Sequence, residues 1–247
     1  MKAFRTLVKN ELKMSLRGMD MPIFAVIMPI VVLIILGVVF GHKPAFEGAE
    51  YTFLDQSFGA LCSIAICAGG VMGLPLVISD YRSKQILKRY QVTPVKPGLV
   101  LMAEVAMYVI YAVISLFSLF LVATCFFGFQ MRGSFGWFFL GYFLVMISMF
   151  SIGMMVGGIA KDSKIAGVIA SALYFPMLIF SGATLPYEVM PGAMQKIVNV
   201  LPLTQGIKIL KNAVLGLPTE NVTGAVLFLL LIAFFCSVIA VKFFRWE

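Results

Sequence analysis

Six stretches of this chain are each long and apolar enough to cross a lipid bilayer: Ile23–Phe40, Phe58–Ile78, Leu99–Phe129, Phe135–Ala160, Ile165–Leu185 and Val222–Val241. A hydrocarbon core of about 30 Å, at about 1.5 Å of helix rise per residue, needs about 20 such residues. Inside lipid each segment must satisfy its own backbone N–H and C=O groups, so runs of this length read as helices. With 61% apolar and only 12% charged residues, a water-soluble core could not enclose this surface, because helices that are apolar all round need lipid or a large core. The expectation is an all-α integral membrane protein of six spans, one domain over residues 1–247. Glu104 stands near the start of the third run, which places its membrane part at Val105–Phe127. Pro29 in the first run is tolerable where neighbouring helices satisfy the freed carbonyl. That run exceeds the 7–15 apolar residues of a signal peptide and reads as an uncleaved anchor.

The net charge of +8 would suggest nucleic acid in a soluble protein. Here the cations flank spans, which excludes a nucleic-acid partner as the reading. Lys2, Arg5, Lys9, Lys13 and Arg17 precede the first span; Arg82, Lys84, Lys88, Arg89 and Lys96 join the second to the third. Lys161, Lys164, Lys242 and Arg245 fall on the same side, against Lys43, Arg132, Lys196, Lys208 and Lys211 opposite. The richer side is cytoplasmic by the positive-inside rule, so both termini are expected inside. Cys62, Cys67, Cys125 and Cys236 lie in apolar runs without a CxxC, and read as small apolar residues rather than metal ligands or disulfides. With His42 as its only histidine, the chain cannot carry HExxH or bis-histidine haem chemistry.

Three segments do not span. In Lys2–Asp20, basic residues recur every fourth position while Phe4, Leu7, Val8, Leu12, Leu16 and Met19 share the other face. This periodicity predicts an amphipathic helix on the inner leaflet of the lipid bilayer. Asp80–Pro97 is the largest cytoplasmic connection; Ser79 or Asp80 can cap a short helix that stops before Pro94. Leu87 and Tyr90 beside four cations suit either a solvated connector or a docking helix for a cytoplasmic partner. On the outside, Pro186–Pro218 holds two short amphipathic helices separated by Pro202. Neither can span, and both fit helices that dip into the outer leaflet and return, which requires burial in protein or a cavity wall. Gly37/Gly41, Gly69/Gly73 and Gly153/Gly157 have GxxxG spacing, and read as close packing within the chain before any contact between subunits.

No GxxxxGK[ST], GxSxG or HExxH motif occurs, and no paired carboxylates lie at membrane depth. Glu104, Tyr108 and Tyr111 share one helix face. Glu104 reads either as a snorkelling or structurally paired carboxylate, or as a contact for substrate or a proton. An intramembrane enzyme would need clustered carboxylates or histidines, which are missing. A carrier driven by protons or sodium would lack its usual coupling residues. A motor-free channel or secondary carrier is therefore the runner-up to transport powered by a bound motor.

Three stretches carry a family resemblance that covers essentially the whole chain. SDYRSKQILKRYQVTPVKPG (79–98) resembles the acidic–basic cytoplasmic helix of ABC-2 type transporter permeases, ending in Thr93, Pro94 and Val95. GIAKDSKIAGVIASALYFPMLIFSGATLPYEVMP (158–191) is similar to that family's fourth-to-fifth hairpin and its SGxxxP exit, here Ser181, Gly182 and Pro186. VLPLTQGIKILKNAVLG (200–216) resembles its Leu-Pro-Leu-Thr signature and the helix that follows. The chain departs at Gln85, where the family often has glycine, and at Tyr90, where leucine is common. The resemblance implies the type V exporter fold: six spans per permease, a second permease copy or sister permease, and separate ABC ATPase subunits that bind ATP and Mg. This chain itself would be non-catalytic and hold no cofactor. Residues 79–97 would be the coupling helix, with Asp80, Arg82, Lys84, Gln85, Leu87, Lys88, Arg89, Tyr90, Thr93 and Pro94 coupling to the ATPase. The re-entrant helices would guard the outer exit through Pro186, Pro202, Leu203 and Thr204. Spans two and five would face the pathway, with Phe58, Met72, Phe175, Met177, Phe180 and Glu104 as candidate lining. An apolar pathway suits a drug, lipid or peptide as exported cargo, and the plasma or inner membrane of a prokaryote is the implied location.

Overall fold

The computed structural model describes residues 2–40, 43–45, 49, 51–86, 97–181, 191–217 and 222–243. Among them the helices run as α1 (Lys2–Gly18), α2 (Ile23–Phe40), α3 (Phe53–Ser83), α4 (Pro97–Phe127), α5 (Phe135–Ile159), α6 (Ser163–Phe180), α7 (Gly192–Val198), α8 (Pro202–Leu215) and α9 (Thr223–Phe243). Six of these, α2 to α6 and α9, are long and apolar enough to cross a membrane. The protein is a multi-pass, all-α membrane protein.

The helix ends follow local chemistry that hydropathy does not register. α3 begins ahead of its apolar run because Thr52 and Asp55 form a reciprocal cap. Asp55 N donates to Thr52 Oγ1 (3.1 Å), and Thr52 N donates to Asp55 Oδ2 (3.0 Å). At its other end α3 continues through Ser83, so Asp80 and Arg82 belong to the span itself. The chain then turns off at Gln85, whose φ of 54° lies in the left-handed region. Two wide, π-type turns interrupt the spans, Ile23–Ile27 in α2 and Ala68–Gly73 in α3. Each precedes a proline. Pro29 and Pro75 lack an N–H and would collide with the carbonyls four residues back, Ala25 and Val71, which lie inside those turns. The expected proline defect is thus absorbed by backbone widening.

α5 is the central post, packed against α9, α8, α3 and α6. Its crossing with α3 brings backbone onto backbone. A Cβ on Gly153 would meet Gly70 O at 1.9 Å, and one on Gly157 would meet Ile78 Cβ at 3.0 Å and Pro75 Cα at 3.1 Å. The GxxxG spacing at 153 and 157 therefore serves packing within the chain. Hydroxyls tie the other faces of α5: Tyr142 OH donates to Ala112 O (2.7 Å), Ser148 Oγ to Leu229 O (3.0 Å), and Ser151 Oγ lies 3.1 Å from Ser237 Oγ.

α8 is too short to span and is buried in the bundle. Leu203, Leu210 and Val214 are fully enclosed, and Gly59, Gly141 and Gly206 admit Leu210, Ile209 and Val145 at close range. α1 differs from the expectation in what its apolar face covers. Leu7 is buried, and Phe4, Val8 and Leu12 pack on the protein core, with α4 the main neighbour. The stripe is used against protein because Glu11 and Ser15 on the same side find partners there. Met14, Leu16 and Met19 stay exposed, as do Arg5, Lys9, Lys13 and Arg17.

Candidate functional site

The Ser83 end of α3 is held on two sides by adjacent residues. Tyr81 OH donates to Glu11 Oε2 at 2.6 Å, joining α3 to α1. Glu104 of α4 interacts with both Tyr81 and Glu11, so two carboxyls and a phenol from three helices meet in one buried knot. Glu104 is 1% exposed, and among the described residues its Oε2 accepts no hydrogen bond. Its carboxyl is enclosed by the bundle. One turn above Glu104 is Tyr108, which is fully buried, and beyond it Tyr111 OH donates to Ser15 Oγ at 3.0 Å. The shared face of Glu104, Tyr108 and Tyr111 thus runs along α4, with Glu104 and Tyr111 turned to α1.

Arg82 points the other way. Its guanidinium, 7% exposed, donates through Nη2 to Gly157 O (3.2 Å) and Gly158 O (3.1 Å), and through Nη1 to Ala160 O. These carbonyls end α5. The last carbonyls of a helix have no intrahelical donor and carry the negative end of its dipole, so a cation with a planar fork of donors suits them. Just beyond, Asp162 Oδ1 accepts from Ile165 N (2.8 Å) and caps α6. Asp80 and Lys84 form an exposed i,i+4 ion pair at 2.8 Å, a contact of little weight in water. Lys84 and Gln85 are exposed. Leu87, Lys88, Arg89, Tyr90, Thr93 and Pro94 lie outside the described residues.

The expected lining residues separate. Phe58 is fully buried, stacked on Phe129 (centroids 4.3 Å) beside Phe120 and Phe138. Met72 faces α6, its sulfur 3.9 Å from Ser171 Oγ. On α6 Met177 is buried, Phe180 is half-buried and Phe175 is 52% exposed. On the outer side Pro202, Leu203 and Thr204 are buried at the start of α8. Asn199 joins α7 to α8, its Oδ1 accepting from Lys208 Nζ and its backbone O from Gln205 Nε2. Partial burial holds the Lys208 ammonium below the ordinary lysine range. Pro186 lies outside the described residues.

Hydropathy reading missed the partnership of Glu11 with Tyr81. One signal was present: Glu11 sits four residues after Leu7 and beside Leu12, inside the apolar stripe of α1, where a charged group needs a partner. Among the described residues no group of three His, Cys, Asp or Glu side chains could hold a metal.

Five apolar helices packed about a sixth, α5, with a polar knot at the Ser83 end of α3, make this a polytopic membrane protein. The chain belongs to the ABC-2 type transporter family, whose model matches residues 2–215. It is 31% identical over 119 residues to the inner membrane transport permease YhhJ of Escherichia coli (strain K12), covering 48% of this chain and 32% of that protein. It is 31% identical over 91 residues to nodulation protein J of Neorhizobium galegae, 36% of this chain and 35% of that one. Over 90 residues it is 31% identical to nodulation protein J of Rhizobium meliloti (strain 1021), 35% of this chain and 34% of the relative. The chain thus spans about a third of the length of each of these curated relatives.

Proposed function

We propose that this chain is the membrane subunit of an ATP-driven exporter, working as a pair with a second permease and powered by a separate ABC ATPase. The observation that carries the reading is the double anchorage of the α3 end, through Tyr81 to α1 and through Arg82 to α5, where the basic segment 87–96 begins. A segment that docks on a motor must transmit displacement, and a rigidly held root does so. Residues 84–94 would touch the ATPase, whereas Arg82 would act inside the bundle. In this arrangement ATP binding shifts the bundle between inward- and outward-facing populations. ATP and Mg reside on the partner, and this chain performs no hydrolysis. Met72, Phe175, Met177 and Phe180 line the α3–α6 side of the pathway, and α8, with Pro202, Leu203 and Thr204, closes it outside. Glu104 serves the knot. The mostly exposed apolar surface of α6 suits a second copy or sister chain and a hydrophobic or amphipathic cargo. The name of the E. coli relative supports transport across an inner membrane, and the distribution of Lys and Arg favours both termini of this chain on the cytoplasmic side.

The test is purification of the full chain from its native membrane in mild detergent. An ATPase with a Walker A motif is expected to co-purify, and Leu87→Asp with Tyr90→Ala to release it. A chain that purifies alone, or a double variant that holds its ATPase undiminished, refutes the reading and returns the motor-free channel or carrier.

A further inference from the structure

We propose that Arg82 is a positioning residue that delivers the displacement of the coupling segment to the α5–α6 turn. The inference rests on the motor-driven reading above. Arg82 lies in the last turn of α3, next to the segment that would dock. Its guanidinium gathers Gly157 O, Gly158 O and Ala160 O. Residues 160–162 alone separate the end of α5 from the start of α6, so whatever moves these carbonyls moves the first turn of α6. Asp162, inside that turn, is hydrogen-bonded to Ile165 N and makes the turn and the helix one piece.

The rest of the packing favours the same route. α6 rests on the cytoplasmic part of α3, with Gly167 opposite Leu76, and is otherwise the least enclosed of the spanning helices. α5 is locked to α3 by the glycine crossing higher up. Among the described residues the strong polar attachment of the α5–α6 turn to the coupling root is Arg82. Lysine cannot replace it, because one compact ammonium lacks the flat fork that reaches three carbonyls at once. Tyr81 completes the device by holding α1 on the opposite side, so one movement of the α3 end reaches α1 and α6 together.

The experiment uses the complex of this chain with its co-purifying ATPase in lipid nanodiscs. Lys164→Cys, exposed on the first turn of α6, is the reporter, with Cys125 and Cys236 replaced by serine. The rate of labelling by a soluble maleimide is compared without nucleotide and after trapping with ATP and vanadate. With Arg82 present the two rates are expected to differ about threefold or more. Arg82→Gln abolishes the difference and Arg82→Lys, which keeps the charge at the helix end, reduces it, while both still bind the ATPase and hydrolyse ATP. A merely structural role lowers the melting temperature and leaves the rate ratio intact. An unchanged ratio in a folded Arg82→Gln or Arg82→Lys complex overturns the proposal. So does equal labelling of the original chain in both states of an ATP-hydrolysing complex, which leaves the exporter reading standing. A preparation without any ATPase removes both.

Discussion

Replacing Gln85 by glycine tests how much strain is held where α3 leaves the membrane. Gln85 has φ 54°, a conformation that costs a residue with a Cβ about 1–2 kcal/mol. Glycine pays no such cost, but gives up about 0.5–1 kcal/mol more backbone entropy on folding than alanine does. The side chain of Gln85 is exposed, so its removal sacrifices no packing. The turn bond from Gln85 N to Arg82 O, 2.9 Å, is a backbone contact and survives. The net expectation is a gain of about 0.5–1 kcal/mol, which for a domain of this size moves a melting temperature by about 1–4 °C. Thermal unfolding of the purified chain in detergent reads the shift. Gln85→Ala is the control, since alanine keeps the Cβ and hence the strain, and is expected to give no gain. If Gln85→Gly melts no higher than Gln85→Ala, the positive φ is not costing the protein stability and the argument fails.

Other expectations follow from the packing. Gly153→Ala drives a Cβ into Gly70 O and should cost about 1–3 kcal/mol, whereas Gly224→Ala meets nothing within 4 Å and should be neutral or stabilising by up to about 1 kcal/mol; paired melting curves compare them. Tyr81→Phe removes the donor to buried Glu11 and should cost about 1–3 kcal/mol, with faster proteolysis between α1 and α2 as a local readout. Asp162→Ala loses the cap on Ile165 N and should destabilise by about 0.5–2 kcal/mol. The lowered pKa of Lys208 means that its charged form is costlier folded than unfolded. The penalty is present below the folded pKa and fades as pH rises through it toward the unfolded value of about 10.4. As pH rises toward that unfolded value, the melting temperature of the original chain should therefore gain relative to that of Lys208→Met.

The six spans were legible because bilayer thickness dictates their length and lipid dictates their composition. Ile23–Phe40 is the plainest case, read and observed with the same bounds. The two short helices α7 and α8 were legible from periodicity and from Pro202. The errors fall where a polar group decided the outcome. The start of α3 depends on the pairing of Thr52 with Asp55, which hydropathy counts only as polar residues. The face of α1 was read as lipid-facing because periodicity reports that a stripe is apolar and says nothing of what covers it. Arg82 looked like one more cytoplasmic cation; its destination lies on carbonyls 75–78 positions away, and main-chain acceptors have no sequence signature. The aromatic cluster of Phe58 with Phe129 and Phe138 was likewise not legible, since its members come from different elements.

The contact of Gly153 with the main chain at Gly70 has a mechanical consequence. Where two helices meet this closely at glycines, with only Pro75 and Phe150 contributing side chains beside the contact, there is little to re-pack, so the crossing resists sliding more than tilting. It is a fulcrum. At about 1.5 Å of rise per residue, the arm of α5 from Gly153 to Ile159 is about 9 Å and the arm to Phe135 about 27 Å. A small swing imposed at the Ile159 end would be magnified more than twofold at the Phe135 end, beside which α8 is lodged.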